Sequence, residues 1–393
     1  MVTAAPGGAL AGARAARQRR MAADAIVDAC RADLPPALLL SQIAERVARV
    51  VPHRIAAWSP LDAETMLATE LAGPPAGPML LRIMDNEFFE RDFGKFAALA
   101  RRPVPVASLC QLTRGQPERS RRYRELLRPL GFGDELRAVF RADRVSWGIL
   151  CLLSGEDQGP FTEDALAFVA GICGEVGAGL RAALAKAARQ DEVAPDVSDA
   201  VPGALLLSDD DTLESMSPEA ERWLRMLPPS PWRLPLPAIV YQLARRARVA
   251  GVTGDRLCWT TVQASGGRWL TLHAQPLDRQ AGSRRVVMIV QPARRRELEP
   301  LLLQLHALTP REQEVASLLV RGLATEEIAR GLGISRHTVR DHLKAAFAKL
   351  GVSSRGALAA LLAGRAHPIP HLGEGLGVGG AHTVPRAMER QSP

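Results

Sequence analysis

The chain has 393 residues, 47% hydrophobic and 23% charged, which excludes a wholly disordered or collagen-like polymer and leaves room for two or three domains. No run of about 18 uninterrupted apolar residues occurs and no solid apolar stretch follows the basic start, so neither a transmembrane helix nor a secretory leader is expected. The net charge of +8 admits a polyanionic partner without requiring one, and five scattered cysteines, none in a C-x-x-C pair, read as reduced structural thiols in a cytoplasm.

The charge is unevenly placed. Residues 1–20 hold Arg14, Arg17, Arg19 and Arg20 and no acid, and are expected to be a basic flexible arm. Residues 21–308 hold 35 basic and 35 acidic residues, whereas residues 309–364 hold eight basic and five acidic. Two Pro-bounded segments, Gln190 to Pro202 and Gln291 to Pro300, divide the chain, and the Gly/Pro-rich stretch beyond Gly364 reads as a disordered tail, 365–393. No repeat of 20–50 residues is present.

Between the first boundaries, Met21 to Val50 carries apolar residues at helical spacing, broken at Pro35-Pro36. Arg54 to Trp58 and Met66 to Leu71 are predicted strands around a turn at Pro60. Glu135 to Phe140 and Val145 to Leu153 are predicted as an antiparallel pair turning at Arg141 to Arg144. Thr162 opens a long helix, with Glu163 and Asp164 in the first turn where negative charge suits the dipole. The segment LGFGDELRAVFRADRVSWGILCLL followed by PFTEDALAFVAGICGEVGAGL resembles the GAF domains of bacterial regulators, which makes 21–190 a GAF-like α+β sensor domain by that resemblance.

In the next block, Ala204 to Leu207 and Thr212 to Ser215 are short predicted strands around Asp209-Asp210-Asp211. Ser217-Pro218 caps a helix, and Leu236 to Val249 is another. Cys258 to Ala264 and Arg268 to Gln275 alternate around Ser265-Gly266-Gly267, a hairpin signal, and Arg285 to Val290 supplies a last strand. This order of elements resembles a PAS domain over 200–292. Residues 293–304 are expected as a linker.

Residues 305–364 carry the most specific signals. Thr309-Pro310 with Glu312 is a capping box, and Val315, Leu318 and Leu319 stripe the first helix. A short second helix puts Ile328, Ala329 and Leu332 inward, Gly333 sits in a tight turn, and Ser335 caps a third helix to about Leu350. A fourth helix is expected from Ser353. The third helix has an apolar face of Val339, Leu343, Ala346, Phe347 and Leu350. Arg336, Arg340 and Lys344 recur every four residues on another face, with His337 and Asp341 alongside. A short helix, a Gly turn and a basic helix make a helix-turn-helix, whose cations displace counterions from phosphates.

Leu308-Thr309-Pro310-Arg311-Glu312, Glu314-Val315, Gly322-Leu323, Glu327-Ile328-Ala329, Leu332, Ser335, Thr338-Val339-Arg340, His342, Leu350 and Ser354-Arg355 resemble the LuxR-type DNA-binding domain. The resemblance implies a compact all-α four-helix unit that dimerises on its last helix and reads the major groove with its third. It assigns base reading to Arg340, Asp341, His342 and Lys344, and phosphate contact to Ser335, Arg336, Thr338 and Lys349, with Arg355 as an additional candidate; His337 completes the DNA-facing set. Two departures stand out: Ala324 replaces a common Ser cap, a job left to Thr325, and Asp341 sets a carboxylate at a reading position, where it repels phosphate but can accept from cytosine.

The whole chain therefore reads as a cytoplasmic transcription regulator that binds a two-fold operator in double-stranded DNA as a homodimer. RNA polymerase is a further candidate partner, and no membrane, cofactor or metal is expected. The alternative keeps the DNA-binding output but makes the N-terminal block only a dimerisation or protein-interaction module. A single acyl-homoserine-lactone domain fits two modules poorly. Motifs for phosphate-loop, zinc-protease and serine-hydrolase chemistry are absent, so no enzyme is expected. The triplet Asp209-Asp210-Asp211 reads as a turn, and the run Arg119, Arg121, Arg122, Arg124, Arg128 as a solvated face. Trp58, Trp147, Trp259 and Trp269 read as sheet core ahead of pocket walls. Cys258 and His273 lack a second metal ligand at suitable spacing, and Arg294-Arg295-Arg296 reads as a linker ahead of a phosphate-touching arm.

Overall fold

The computed structural model describes residues 6–74, 78–191, 200–228, 234–253, 258–265, 267–277 and 284–363. The expected tail at 365–393 lies outside the described residues. Helix α1 (Pro6–Arg31) absorbs most of the expected N-terminal arm. It is Ala-rich, which favours a helix, and Arg19 reaches Asp164 at 2.8 Å, tying the basic segment to the body of the protein. Pro35-Pro36 breaks it from α2 (Pro36–Ala48), as the pattern predicts.

Strands β1 (Ile55–Pro60), β2 (Val106–Ser108), β3 (Phe132–Ala142) and β4 (Val145–Gly155) form an antiparallel sheet in the order β1-β4-β3-β2. The β3–β4 turn is two residues, Asp143 and Arg144, both with positive φ, as a tight hairpin needs. The expected strand at Met66 to Leu71 is reduced to isolated bridges, Leu61 to Ala68 and Trp58 to Ala72, because Met66 takes a positive φ in a turn that the Asp62 carboxylate holds through Thr65 Oγ1 at 2.9 Å. Helices α3 (Pro78–Phe89), α4 (Phe96–Leu99) and α5 (Leu109–Leu112) fill the β1–β2 crossover and the start of the next connection.

Alternation along β3 gives its two faces different jobs. Leu136, Ala138 and Phe140 join Trp147, Leu150 and Leu152 against α6 (Glu163–Asp191), α1 and α2, burying Val169, Ile172, Val176, Leu180, Ile26, Leu39 and Ile43. Gly177 lets α6 approach closely, since a Cβ there would meet the Arg141 backbone at 2.4 Å. Among the described residues α6 is an unbroken helix long and apolar enough to cross a membrane, but that apolar face is this core. Glu135 and Arg137 point to the other side. There the Arg run departs from a solvated face: Arg122 is fully buried, donating from Nε to Glu135 at 2.8 Å and from Nη1 to Asn86 at 3.0 Å. Glu135 holds Arg137 at 2.9 Å, and Glu87 holds it at 2.8 Å.

The second sheet contains β5 (Gly203–Leu207), β6 (Leu213–Met216), β7 (Cys258–Gln263), β8 (Trp269–Pro276) and β9 (Val286–Pro292), all antiparallel in the order β6-β5-β9-β8-β7. Helices α7 (Pro218–Leu224), capped by Ser217, and α8 (Ala238–Thr253) cover one face, over Leu205, Leu272, Met288 and Val290. Asp209 to Asp211 is a turn, and Asp211 accepts from Arg245 at 2.7 Å and Arg248 at 2.6 Å. Trp147 and Trp269 are buried, Trp58 is half-buried and packs on the first core in register with Leu150, and Trp259 is half-buried beside a cavity.

The two mixed units share an apolar cluster, in which Leu67, Leu80 and Met84 join the α8 side, and they also meet through polar groups. Asp62 accepts from Thr260 Oγ1 at 2.6 Å and from the Thr261 N–H at 3.3 Å. The Gln242 amide pairs with both backbone groups of Ala68, at 2.9 and 3.1 Å, as a strand would. Arg245 also reaches Asp85 on α3 at 2.7 Å.

The expected linker is a helix, α9 (Arg295–Leu305). Glu297 explains its placement: the carboxylate accepts from the Arg294 N–H at 2.9 Å and from Thr271 of β8 at 2.9 Å. Leu298, Leu301, Leu302 and Leu305 are buried, and α9 packs on α6. Arg294 is exposed; the side chains of Arg295 and Arg296 lie outside the described residues. Four helices close the fold: α10 (Pro310–Val320), α11 (Thr325–Leu332), α12 (Arg336–Leu350) and α13 (Arg355–Ala363), the last packed on α10 and α9.

Candidate nucleic-acid interface

The α10 N-terminus has a complete capping box: Thr309 Oγ1 accepts from the Glu312 N–H at 3.3 Å, and Glu312 accepts from the Thr309 N–H at 2.7 Å. Glu312 is buried and also receives Lys349 at 2.7 Å. Burial opposes ionisation of this carboxyl, but hydrogen bonds from Lys349 and Thr309 outweigh it and hold the group below its ordinary range. Lys349, expected at a phosphate, is thus tied to the base of α10 and also donates to the Ala307 carbonyl at 3.2 Å.

Helix α11 begins at an uncapped position. Ala324 has the backbone of an N-cap but no side-chain acceptor, and Thr325 is already helical, so it does not replace the missing Ser. Only the reciprocal bond remains, from the Ala324 N–H to Glu327 at 2.6 Å. Gly333, with φ of +64°, ends α11 in the left-handed region and turns the chain into Ser335. Ser335 caps α12 by accepting the Thr338 N–H at 3.0 Å. The fourth helix is capped one residue later than expected: Ser354 Oγ accepts the Ala357 N–H at 3.0 Å.

Helix α12 has the two faces its spacing predicts. Val339, Leu343, Ala346 and Leu350 are buried against α10 and α11, and Phe347 is half-buried. Arg336, His337, Arg340, Asp341 and Lys344 are exposed, while Thr338 and His342 are half-buried beside them. Arg336 meets Glu326 at 3.2 Å and His337 meets Asp341 at 3.4 Å, both exposed pairs that cost little to open. Among the described residues no carboxylate lies within ion-pair distance of Arg340 or Lys344. Arg355 sits at the start of α13 and donates to the Leu323 carbonyl at 3.0 Å. The structure therefore brings Ser335 to Lys344 together on one surface and sets Lys349 and Arg355 apart as braces between helices.

A short helix, a left-handed glycine turn and an exposed basic helix define a helix-turn-helix. Residues 306–362 match the family model of bacterial regulatory proteins, luxR family. The chain is 51% identical over 51 residues to a putative HTH-type transcriptional regulator of Aeromonas salmonicida, covering 13% of this chain and 26% of that protein. It is 54% identical over 48 residues to the spore germination protein GerE of Bacillus subtilis, covering 12% and 65%. Curated relatives are thus matched over about a quarter of their length in the first case and 65% in the second. Among solved structures, a Vibrio cholera VqmA–ligand–DNA complex is 18% identical, covering 42% of this chain and 82% of that one at a TM-score of 0.22. A bacteriophytochrome from R. palustris is 12% identical, covering 70% and 63% at a TM-score of 0.31. The C-terminal unit is a LuxR-type helix-turn-helix domain, preceded by a region of mixed helix and sheet.

Sequence reasoning missed the buried Arg122–Glu135–Arg137 network and the polar seam between the two sheets. A signal existed for the first, since Glu135 and Arg137 alternate with apolar residues along β3. None existed for the second, because its partners lie far apart in the chain.

Proposed function

We propose that this chain is a DNA-binding transcriptional regulator in which a GAF-like and a PAS-like unit control a LuxR-type reader. The observation that carries the reading is the pair Arg340 and Lys344, exposed beside the buried face of α12 and, among the described residues, without a carboxylate in ion-pair distance, within the segment matched by the luxR model. In this reading a homodimer sets two α12 helices into successive major grooves of a two-fold operator. Arg340, Asp341, His342 and Lys344 face base edges. Ser335, Arg336, His337 and Thr338 meet the flanking backbone, and Lys349 and Arg355 join them only by releasing Glu312 and the Leu323 carbonyl. The all-antiparallel sheet of two strands, helices and three strands supports the PAS-like assignment, and the helix-covered β1-β4-β3-β2 sheet supports the GAF-like one. Control would run through α9, which is hydrogen-bonded to β8 through Glu297 and packed on both α6 and α13. The protein would act in the cytoplasm, with RNA polymerase as a partner at the promoter.

The test is a mobility-shift assay on genomic fragments selected by the wild-type protein. R340A/K344A should abolish the specific complex, and wild-type binding by the double variant would sink the assignment.

A further inference from the structure

The space between the two mixed units is a cavity of about 690 Å³, a size that suits a small organic ligand. One wall is the outer face of the first sheet, including Ala57, Ile149 and Cys151, together with Ile83 and Met84 of α3; the other is α8 and β7, including Arg246, Val249 and Trp259. The apolar core of the second sheet reaches across to Leu67, Leu80 and Met84 of the first unit, and Leu61, Ala68, Val139 and Ile149 form a separate cluster on the first sheet, leaving this space unfilled. The units are nevertheless held at a fixed separation around it by the Asp62–Thr260 bond and the Gln242–Ala68 amide pair.

The wall chemistry narrows what can enter. Most lining side chains are aliphatic, aromatic or thioether, the last adaptable in shape. The deepest charges are already matched, with Glu135 between Arg122 and Arg137, and Glu87 on Arg137, so the floor offers no unpaired charge to a counterion. Burial pushes the Glu64 carboxyl up, Asp62 adds to this, and Arg246 only partly opposes it. Arg246 donates one N–H to the Thr65 carbonyl and has no carboxylate within ion-pair distance among the described residues, which leaves guanidinium donors for an acceptor.

We infer that the cavity between the two sheets is a binding site for an uncharged, predominantly apolar small molecule that presents a hydrogen-bond acceptor to Arg246. The site deepens the control reading, because its far wall belongs to the unit that leads into α9. Its test contains no DNA and stands or falls separately from DNA binding.

The experiment titrates the full chain with Nile red, a neutral apolar dye with a carbonyl acceptor, and with the anionic dye 1-anilinonaphthalene-8-sulfonate. The expected result is saturable binding of one Nile red per chain, at least tenfold tighter than the anion. Val249→Trp and Ile83→Trp fill the space from opposite walls at half-buried positions. Each variant that keeps the wild-type circular dichroism spectrum and melting cooperativity should weaken Nile red at least tenfold. Absence of saturable Nile red binding to wild type, or unchanged binding by folded filled variants, overturns the site. Tighter binding of the anion overturns the ligand class.

Discussion

At the scale of single residues, Arg340 and Lys344 differ from Arg336 and Lys349 of α12 in having, among the described residues, no carboxylate within ion-pair distance, which in the proposed reading leaves them free for phosphate or base. Asp341 works against them, since a carboxylate on this surface repels the backbone and repays that only where a base donates to it. Asp341→Asn should therefore raise affinity for non-cognate duplex while flattening the preference among operators, read by competition mobility shifts at fixed salt. Glu135 is the opposite case, a carboxylate with no surface role. Burial would suppress its ionisation, yet Arg122 and Arg137 bring its pKa from 4.5 down to about 2. Because the folded value is the lower one, this stabilisation is complete above about pH 4.5 and is lost as pH falls toward 2. Glu135→Ala leaves two guanidinium groups buried together and should cost about 3–5 kcal/mol in denaturant unfolding. Glu135→Gln should flatten stability against pH within that window. The exposed contacts on α12 were legible from spacing alone, whereas the fate of Arg122 and Lys349 was not. A basic residue looks solvated in a sequence until a partner tens of positions away is folded against it.

At the scale of elements, caps and periodicity carried most of the information. Thr309, Ser217 and Ser335 were readable as helix starts because the acceptor and the N–H it serves are three residues apart, a purely local relation. The same logic exposes a weakness in α11, whose N-cap is Ala324. Ala324→Ser should complete the reciprocal box with Glu327 and stabilise the domain by about 0.5–2 kcal/mol, seen as a raised Tm. Helix α9 escaped the sequence reading because Pro300 and three arginines resemble a linker. Its existence depends on burying Leu298, Leu301, Leu302 and Leu305 against α6 and α13. Leu302→Ala should cost about 2–5 kcal/mol in thermal or denaturant unfolding. A linker that merely spans two domains would lose almost nothing. The strand expected at Met66 failed for a related reason: alternation was present, but the Asp62 turn and contacts with the second unit claimed the backbone instead.

At the scale of the whole molecule, charge and placement act together. The middle 288 residues are neutral, 35 basic against 35 acidic, so the net positive charge lies toward the ends of the chain, where α12 exposes Arg336, Arg340 and Lys344. Salt dependence should follow the count of phosphate contacts, so Arg336→Ala should make the slope of log K against log salt shallower by about 0.9 per α12 engaged, measured from 50 to 200 mM salt. An unchanged slope would remove Arg336 from the phosphate-contacting set. Linear sequence was sufficient to identify the helix-turn-helix, the exposed basic face of its third helix and the succession of two mixed units, because each rests on residues within one or two helical turns or on a hairpin. Folding alone revealed the Glu135 network, the cavity with walls from two units, and α9 as a packed strut. Those features join residues separated by tens to hundreds of positions, and their energies come from burial and pairing that no local pattern records.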